Sequence, residues 1–184
     1  MRSFIAIEIP ESIRAKLIHI GEILQRSALV DGNFVSKDGM HLTLRFLGNI
    51  SKEDIDKIKE ILSKVSVEKF DASVQNLGVF PNENFAKVLW AGVNGVGIEE
   101  LQRSVLNELD KHGFKEKEEI RPFKSHVTIA RVKNIKNKNL FKQKFKSLDF
   151  KDALNFSVKE FHLFKSELTK QGAIYKKLAS FPLR

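Results

Sequence analysis

Apolar and polar residues alternate with two different periods along this chain, and these periods predict its strands and helices. Side chains from Phe4 to Ile9 alternate with period two, and Pro10 follows at a position that suits the first turn of a helix. Apolar residues then recur at helical spacing in three segments, each typical of an amphipathic helix. Their apolar residues are Ile13, Leu17, Ile20 and Leu24, then Ile55, Ile58, Leu62 and Val65, and finally Ile98, Leu101, Val105 and Leu109.

Turn-forming residues separate these helices from strands. The segment Val30-Asp31-Gly32-Asn33 predicts a turn after the first helix, and Asn94-Gly95-Val96-Gly97 predicts a boundary between two halves of the chain. Ser51, followed three residues later by Asp54, predicts the start of the second helix. Further strands are predicted as two hairpins, the first formed by residues 70–80 and 85–93 and the second by residues 154–164 and 173–181.

One short pattern occurs twice in the chain. His41-Leu42-Thr43-Leu44 returns as His126-Val127-Thr128-Ile129, so both copies read His-x-Thr followed by an aliphatic residue. The chain has five His and three Thr, and random shuffling would produce two such pairs in roughly a few sequences per thousand. In a regular strand, alternation places Arg45 on the same face as His41 and Thr43. We therefore expect a polar motif face and an apolar face against a core, with Phe46 on the apolar side.

The repeat extends beyond the motifs. Ser73 to Phe80 matches Ser157 to Phe164 at four positions, and each half reads as strand, helix, motif strand, helix, strand. We predict one domain over residues 1–184, made of two similar lobes at about 3–80 and 85–165 with a closing strand at 173–181. The predicted fold is α+β, bilobal and pseudo-twofold, with two largely antiparallel sheets, helices outside and a central cleft.

Composition and charge narrow the possible chemistry. The chain has no Cys, which excludes disulfides, thiolate zinc sites and a cysteine nucleophile. Its net charge of +9 favours a polyanionic partner, although a basic surface without a specific partner is the alternative. Eight basic residues against one acid lie between Arg131 and Lys151, where Leu140, Phe141 and Phe145 indicate a short helix. Because no run of 18 apolar residues occurs, we expect a cytoplasmic protein that does not bind membranes.

Two motif strands related by a pseudo-twofold axis would bring their His and Thr side chains to one point. That point suits a phosphorus atom, because in-line displacement lets one His take a proton while the other gives one. The Thr hydroxyls could donate to the non-bridging oxygens. Zinc binding is the competing use of two histidines, but neither motif supplies a second ligand at the required spacing. His162 could add a third, yet a lone strand histidine is usually structural, so we expect no metal.

The segments 41–48 and 122–131 resemble the signatures of the two-histidine phosphoesterases, specifically the RNA 2′,3′-cyclic phosphodiesterases, also called 2′-5′ RNA ligases. The similarity covers nearly the whole chain and includes Trp90-Ala91-Gly92-Val93. It departs from the family at Ser125, where many members have Pro. The resemblance implies hydrolysis of an RNA terminal 2′,3′-cyclic phosphate to a 2′-phosphate end, without a metal or other cofactor. We expect a monomer with no protein partner.

By this resemblance His41 and His126 are the catalytic pair, and Thr43 and Thr128 bind the phosphate. Arg131 would be a further phosphate ligand. Strict alternation from His126 places Arg131 on the opposite face, so it can join the site only if the strand bulges or twists after Thr128. The alternative is a surface arginine within the basic span.

We assign His126 as the proton acceptor and His41 as the proton donor. A nearby Arg131 would lower the proton affinity of His126, whereas apolar Phe46 holds the equivalent position after His41. Arg45, if it shared the His41 face, would oppose this difference. Two other functions remain open: a 2′-5′ RNA ligase that runs the same chemistry in reverse, and a basic RNA-binding module without turnover, which would have no use for the paired motifs.

Overall fold

Four helices pack on one strongly curled antiparallel sheet in the computed structural model of the chain, which describes residues 1–115, 122–169 and 172–184. Its helices are α1 (Glu11–Arg26), α2 (Lys52–Leu62), α3 (Val96–Lys111) and α4 (Lys138–Ser147). Its strands are β1 (Arg2–Glu8), β2 (Val30–Phe34), β3 (His41–Asn49), β4 (Phe70–Phe80), β5 (Val88–Asn94), β6 (His126–Ile135), β7 (Leu154–Val158), β8 (Glu160–Thr169) and β9 (Gly172–Pro182). The predicted α+β class is confirmed.

The strand order is symmetric about the centre of the sheet. The strands run β7-β4-β5-β6-β3-β1-β8-β9, and β2 pairs with β6 outside this path. Exchanging β1 with β5, β3 with β6 and β4 with β8 reverses the order of the six central strands, so each strand keeps equivalent neighbours. At the centre, β3 and β6 pair through a single residue pair, Leu42 and Val127. The two predicted sheets are therefore joined into one continuous sheet. The two-lobe division of residues 1–184 stays a prediction.

The helices cover one face of the sheet with the apolar residues that the helical periods predicted. Ser51 caps α2 as expected, because its hydroxyl oxygen accepts a hydrogen bond from the Asp54 amide at 3.1 Å. Within the described residues, no helix is long and apolar enough to cross a membrane. The helix residues buried in the core include Ile13, Leu17, Leu24, Ile55, Ile58, Leu62, Ile98, Leu101, Val105 and Leu109.

The turn predicted at Val30 to Asn33 was wrong, because this segment lies in β2 and pairs with β6. Gly32 makes the pairing possible: a Cβ atom there would lie 2.4 Å from the carbonyl oxygen of Arg131. The residues that suggested a turn therefore allow a close approach between two strands.

The single strand predicted at 154–164 is two strands. The chain leaves β7, which pairs with β4, at Val158 and enters β8, which pairs with β1, at Glu160. Apolar residues continue with similar spacing on both sides of the break, so the sequence pattern does not reveal it. The hairpin between this region and the last strand is confirmed as β8 and β9.

Candidate active site

The pairing of Leu42 with Val127 sets both His-x-Thr motifs on one face of the sheet. These two residues are the middle residues of the motifs, and both are buried on the helix side. Their neighbours along each strand point the opposite way, to the face that the helices leave open. In this register each motif histidine lies opposite the threonine of the other motif. The four side chains are half-buried on this open face: His41, Thr43, His126 and Thr128.

A β-bulge in β6 turns Arg131 toward this motif face. Thr128 and Ala130 pair with consecutive residues of β5, so Ile129 is an extra residue in the ladder. Ile129 and Ala130 are both buried, whereas Arg131 is exposed, and its charge lowers the pKa of His126. The bulge that the prediction for Arg131 required is present directly after the motif threonine.

A matching bulge in β3 turns Arg45 away from the motif face. Thr43 and Arg45 pair with consecutive residues of β1, which makes Leu44 the extra residue. The buried Arg45 guanidinium donates hydrogen bonds to an Asp110 carboxylate oxygen at 3.0 Å and to the Phe114 carbonyl oxygen at 2.6 Å. The predicted place of Arg45 on the face of His41 was therefore wrong, because strict alternation takes no account of the bulge.

Phe46 occupies in the first motif the place that Arg131 occupies in the second. It was predicted on the apolar face, but the bulge brings it to the motif face, where 62% of it is exposed. Its ring centroid lies 6.1 Å from that of Phe4, whose ring stacks on His41. The two bulges thus put an aromatic ring beside one histidine and a cation beside the other.

His41 lies in an aromatic pocket. Its ring stacks on Phe4 at 4.5 Å between centroids and meets the edge of Tyr175 at 5.2 Å, with Phe164 at 6.1 Å. Burial lowers the pKa of His41 to about 4, and the negative charge of Glu8 partly opposes this effect. In the free protein His41 is therefore neutral at pH 7.

His126 is fixed in one tautomer by the backbone. Its Nδ1 lies 2.5 Å from the Lys124 carbonyl oxygen, and because a carbonyl only accepts, Nδ1 carries the proton and the neutral ring has its lone pair on Nε2. Burial lowers the pKa of His126, the hydrogen bond to Lys124 opposes this, and the charges of Lys124 and Arg131 lower the pKa further. The edges of Phe80 and Trp90 flank the ring at 5.1 and 6.3 Å between centroids.

Several residues around the histidines were not singled out from the sequence, among them Phe4, Glu8, Lys124 and Tyr175. The alternation in β1 could have indicated the first two, because it places Phe4 and Glu8 on the same face. Nothing in the sequence pattern links Tyr175 to His41, since they lie at opposite ends of the chain and meet only when β9 has folded onto β8.

The described residues hold no group of three or more His, Asp or Glu side chains close enough for a metal ion. His162, considered above as a third ligand, is 1% exposed, and its Nδ1 lies 2.9 Å from the hydroxyl of Ser180. Its ring therefore belongs to a polar network with Ser180 in β9 and Glu8 in β1, where its Nε2 lies 3.4 Å from a Glu8 carboxylate oxygen.

Comparison with known proteins agrees with this geometry. The family model described as the AKAP7 2′5′ RNA ligase-like domain matches residues 3–183. The chain belongs to this family. Its relatives include the RNA 2′,3′-cyclic phosphodiesterase of Methanocaldococcus jannaschii, 35% identical over 180 residues that cover 96% of this chain and 97% of that protein. The RNA 2′,3′-cyclic phosphodiesterase of Archaeoglobus fulgidus is 36% identical over 185 residues, 98% of this chain and 99% of that protein.

Solved structures of the same fold extend the comparison. A crystal structure from Thermus thermophilus superposes with a TM-score of 0.82 at 27% identity and covers 100% of this chain and 98% of that one. E. coli LigT in apo form has a TM-score of 0.76 at 23% identity, over 99% of this chain and 96% of that one. The predicted resemblance to the 2′-5′ RNA ligase family is confirmed.

Proposed function

We propose that this protein hydrolyses the 2′,3′-cyclic phosphate at the end of an RNA to a 2′-phosphate, using His41 and His126 without a metal ion. The pairing of Leu42 with Val127 carries this proposal, because it sets two His-x-Thr motifs on one open face around a pseudo-twofold axis. The names of the M. jannaschii and A. fulgidus relatives support the same reaction.

Each side chain of the site has a task in this reaction. The free Nε2 of His126 takes a proton from a water molecule as the water oxygen bonds to phosphorus. The bond from phosphorus to the 3′ oxygen breaks, and protonated His41 gives that oxygen a proton. The hydroxyls of Thr43 and Thr128 and the guanidinium of Arg131 stabilise the charge on the non-bridging oxygens.

Substrate binding supplies the protonated form of His41 that this reaction needs. Burial keeps the pKa of His41 at about 4 in the free protein, too low for a donor at neutral pH. A bound phosphodiester brings a negative charge next to the imidazole and raises its pKa. Burial, together with the charges of Lys124 and Arg131, lowers the pKa of His126 and so favours its acceptor form. The Nδ1 hydrogen bond opposes this shift of the pKa, but it leaves the lone pair on Nε2.

The basic span extends the site from a nucleotide to an RNA. Lys133, Lys136 and Lys138 are exposed and follow Arg131 along β6 into α4. The ammonium of Lys138 lies 5.3 Å above the ring centroid of the exposed Phe85, which leaves an aromatic and cationic surface beyond the cleft. These lysines can neutralise the phosphates that precede the cyclic end.

We further propose that the protein acts as a monomer in the cytoplasm. One chain supplies both motifs, Arg131 and the basic span, so catalysis needs no second subunit. The absence of Cys fits a reducing compartment. Light scattering coupled to size exclusion tests the monomer directly.

The decisive experiment incubates the purified protein with an RNA that ends in a 2′,3′-cyclic phosphate, with EDTA present, and identifies the terminal phosphate. We expect a 2′-phosphate end at a rate that EDTA does not change. His41→Ala and His126→Ala should each slow turnover by about 10²- to 10⁴-fold, whereas His19→Ala, on the exposed side of α1, should not. No conversion by the wild-type protein would refute the proposal, and an added 5′-hydroxyl RNA would reveal the reverse, ligating reaction.

A further inference from the structure

Glu8 stands directly beside His41 in the sheet. It ends β1 and is the cross-strand partner of His41, and β1 has no extra residue, so Glu8 shares the face of Phe4 and Ala6. Phe4 and Ala6 form the apolar cluster against which the His41 ring stacks. The carboxylate of Glu8 is therefore an edge of the His41 pocket.

Lys177 and His162, in the last two strands, hold this carboxylate in place. An oxygen of Glu8 lies 2.6 Å from the ammonium of Lys177 in β9 and 3.4 Å from Nε2 of His162 in β8. His162 is itself anchored, since it is 1% exposed and its Nδ1 contacts the Ser180 hydroxyl. Burial and the charge of Lys177 lower the pKa of His162, so its ring is neutral at pH 7.

The second half of the molecule has no equivalent group. The cross-strand partner of His126 on β5 is Gly92, in the place that Glu8 holds beside His41. A Cβ atom at Gly92 would lie 2.7 Å from the side-chain oxygen of Asn76, so there is no room for a longer side chain. One histidine thus has a carboxylate for a neighbour, and the other has the cations Lys124 and Arg131.

Other charged and titratable groups surround His41 without replacing Glu8. Arg45 follows on the same strand but faces the helices, and Lys37, in the turn before β3, pairs with Glu11 instead. Of the charges in the described part of the chain, the one that acts on the pKa of His41 is Glu8, which raises it. The groups on the neighbouring strands are His126 and Arg131 on β6, Glu160 and His162 on β8, and Tyr175 and Lys177 on β9.

We infer that Glu8 is a positioning residue that biases His41 toward its proton-donor form and thereby fixes the direction of proton transfer across the site. The inference rests on the proposed function and adds to it the origin of the difference between two identical motifs. Lys177 and His162 serve this role by holding the carboxylate at the rim of the His41 pocket.

The test compares Glu8→Gln, which keeps the shape of the side chain and removes its charge, with Glu160→Gln. Glu160 approaches the same Nε2 of His162, at 3.7 Å, but does not act on the pKa of His41. An NMR titration of the free protein should show that Glu8→Gln lowers the pKa of His41 by roughly one unit or more, as loss of a nearby opposite charge does. Glu160→Gln should leave that titration where it is.

Kinetics supply the second readout. The rate falls as pH rises through the pKa of the donor, so Glu8→Gln should move this falling limb to lower pH and slow the reaction about tenfold at neutral pH, for a one-unit shift. Glu8→Gln should hydrolyse a cyclic or aryl phosphodiester whose leaving group needs no proton at nearly the wild-type rate. An equal loss with both leaving groups, or an unmoved His41 titration, would overturn the inference.

A further variant keeps the test valid if Glu8→Gln does not fold. Lys177→Met removes the cation that opposes the charge of Glu8, so the His41 titration should move upward. An absent or downward shift would contradict the role of Glu8. The NMR titration needs no turnover, so an inactive wild-type protein would refute the proposed function while the titration still decides the effect of Glu8.

Discussion

Two imidazoles in one site can take opposite proton-transfer roles only if their surroundings differ. Aromatic rings flank both, but the charged neighbour of His41 is Glu8, whereas those of His126 are Lys124 and Arg131. Burial lowers the pKa of both, so the free protein has two neutral rings near pH 7. The difference in neighbouring charge must therefore act when the anionic substrate binds and one ring gains a proton. The carboxylate of Glu8 favours that proton on His41.

Leaving-group dependence separates the two roles. With the RNA cyclic phosphate, His41→Ala and His126→Ala should each cost about 10² to 10⁴ in rate, the range for loss of a general acid or base. With a leaving group that needs no proton, His41→Ala should cost little and His126→Ala should still cost much. The measurement is kcat/KM for both substrates with each variant. If the losses come out the other way round, the roles of the two histidines are exchanged.

Arg45 contributes to stability rather than to catalysis. Its guanidinium is 3% exposed and depends on Asp110 and the Phe114 carbonyl for its hydrogen bonds. Asp110→Asn should therefore lower the free energy of unfolding by about 1 to 3 kcal/mol, because the Asn oxygen can still accept the hydrogen bond but no longer offers a negative charge to the buried cation. Urea unfolding measures this change, and Asp56→Asn, at an exposed site on α2, is the control. Phosphodiesterase activity should survive below the unfolding transition, and a specific loss of activity would show that Arg45 does reach the site.

At the scale of strands, the bulges decide which side chains enter the site. The sequence pattern predicted the motif strands, the caps and the apolar helix faces, because each depends on neighbours a few residues away. It could not predict that Leu44 and Ile129 are extra residues in their ladders, since a bulge is defined by the partner strand. For this reason the sequence could not decide which face Arg131 occupies, and it placed Arg45 on the wrong face. The same limit hid β2, whose turn-forming residues pair with β6.

A substitution at Gly32 tests whether the pairing of β2 with β6 stabilises the second motif strand. A methyl group at this position would meet the Arg131 carbonyl oxygen, so Gly32→Ala should push β2 away from β6 beside the bulge. We expect a loss of about 1 to 3 kcal/mol in stability and weaker binding of inorganic phosphate, because Arg131 loses its fixed backbone. Calorimetry reports both quantities. Asp31→Ala, at the neighbouring exposed position, is the matched control, and an equal effect of the two substitutions would count against the close approach as the cause.

At the scale of the whole molecule, the chain brings its two ends to the first motif. β1 lies between β3 and β8, and the ion pair of Glu8 with Lys177 spans 169 residues of sequence. The sequence repeat predicted the two histidines because each motif is local, but it gave no sign of Glu8, whose surroundings depend on β8 and β9. The motif histidines could thus be singled out from the sequence, and Arg131 from the family resemblance, whereas the contacts of Glu8 with Lys177 and His162 could not be predicted.

The basic span is the proposed binding surface for the RNA phosphates, and the salt dependence of RNA affinity tests this proposal. Each phosphate that a lysine neutralises releases counterions, so the logarithm of RNA affinity should fall steeply with the logarithm of salt concentration, by about 0.7 per contact for a single strand. Replacing the three exposed lysines of the span with Gln should reduce the slope by up to about 2 units, as three lost contacts require. The substituted residues are Lys133, Lys136 and Lys138.

Three exposed lysines on α2 and directly after it provide the control, since this helix covers the face of the sheet opposite the motifs. Replacing them with Gln removes the same net charge from the protein and should leave the slope nearly unchanged. These residues are Lys52, Lys57 and Lys64. An equal reduction of the slope in both triple variants would mean that RNA affinity depends on net charge alone. A smaller slope only for the span would place the RNA along β6 and α4, on the same side of the motif face as Arg131 and His126.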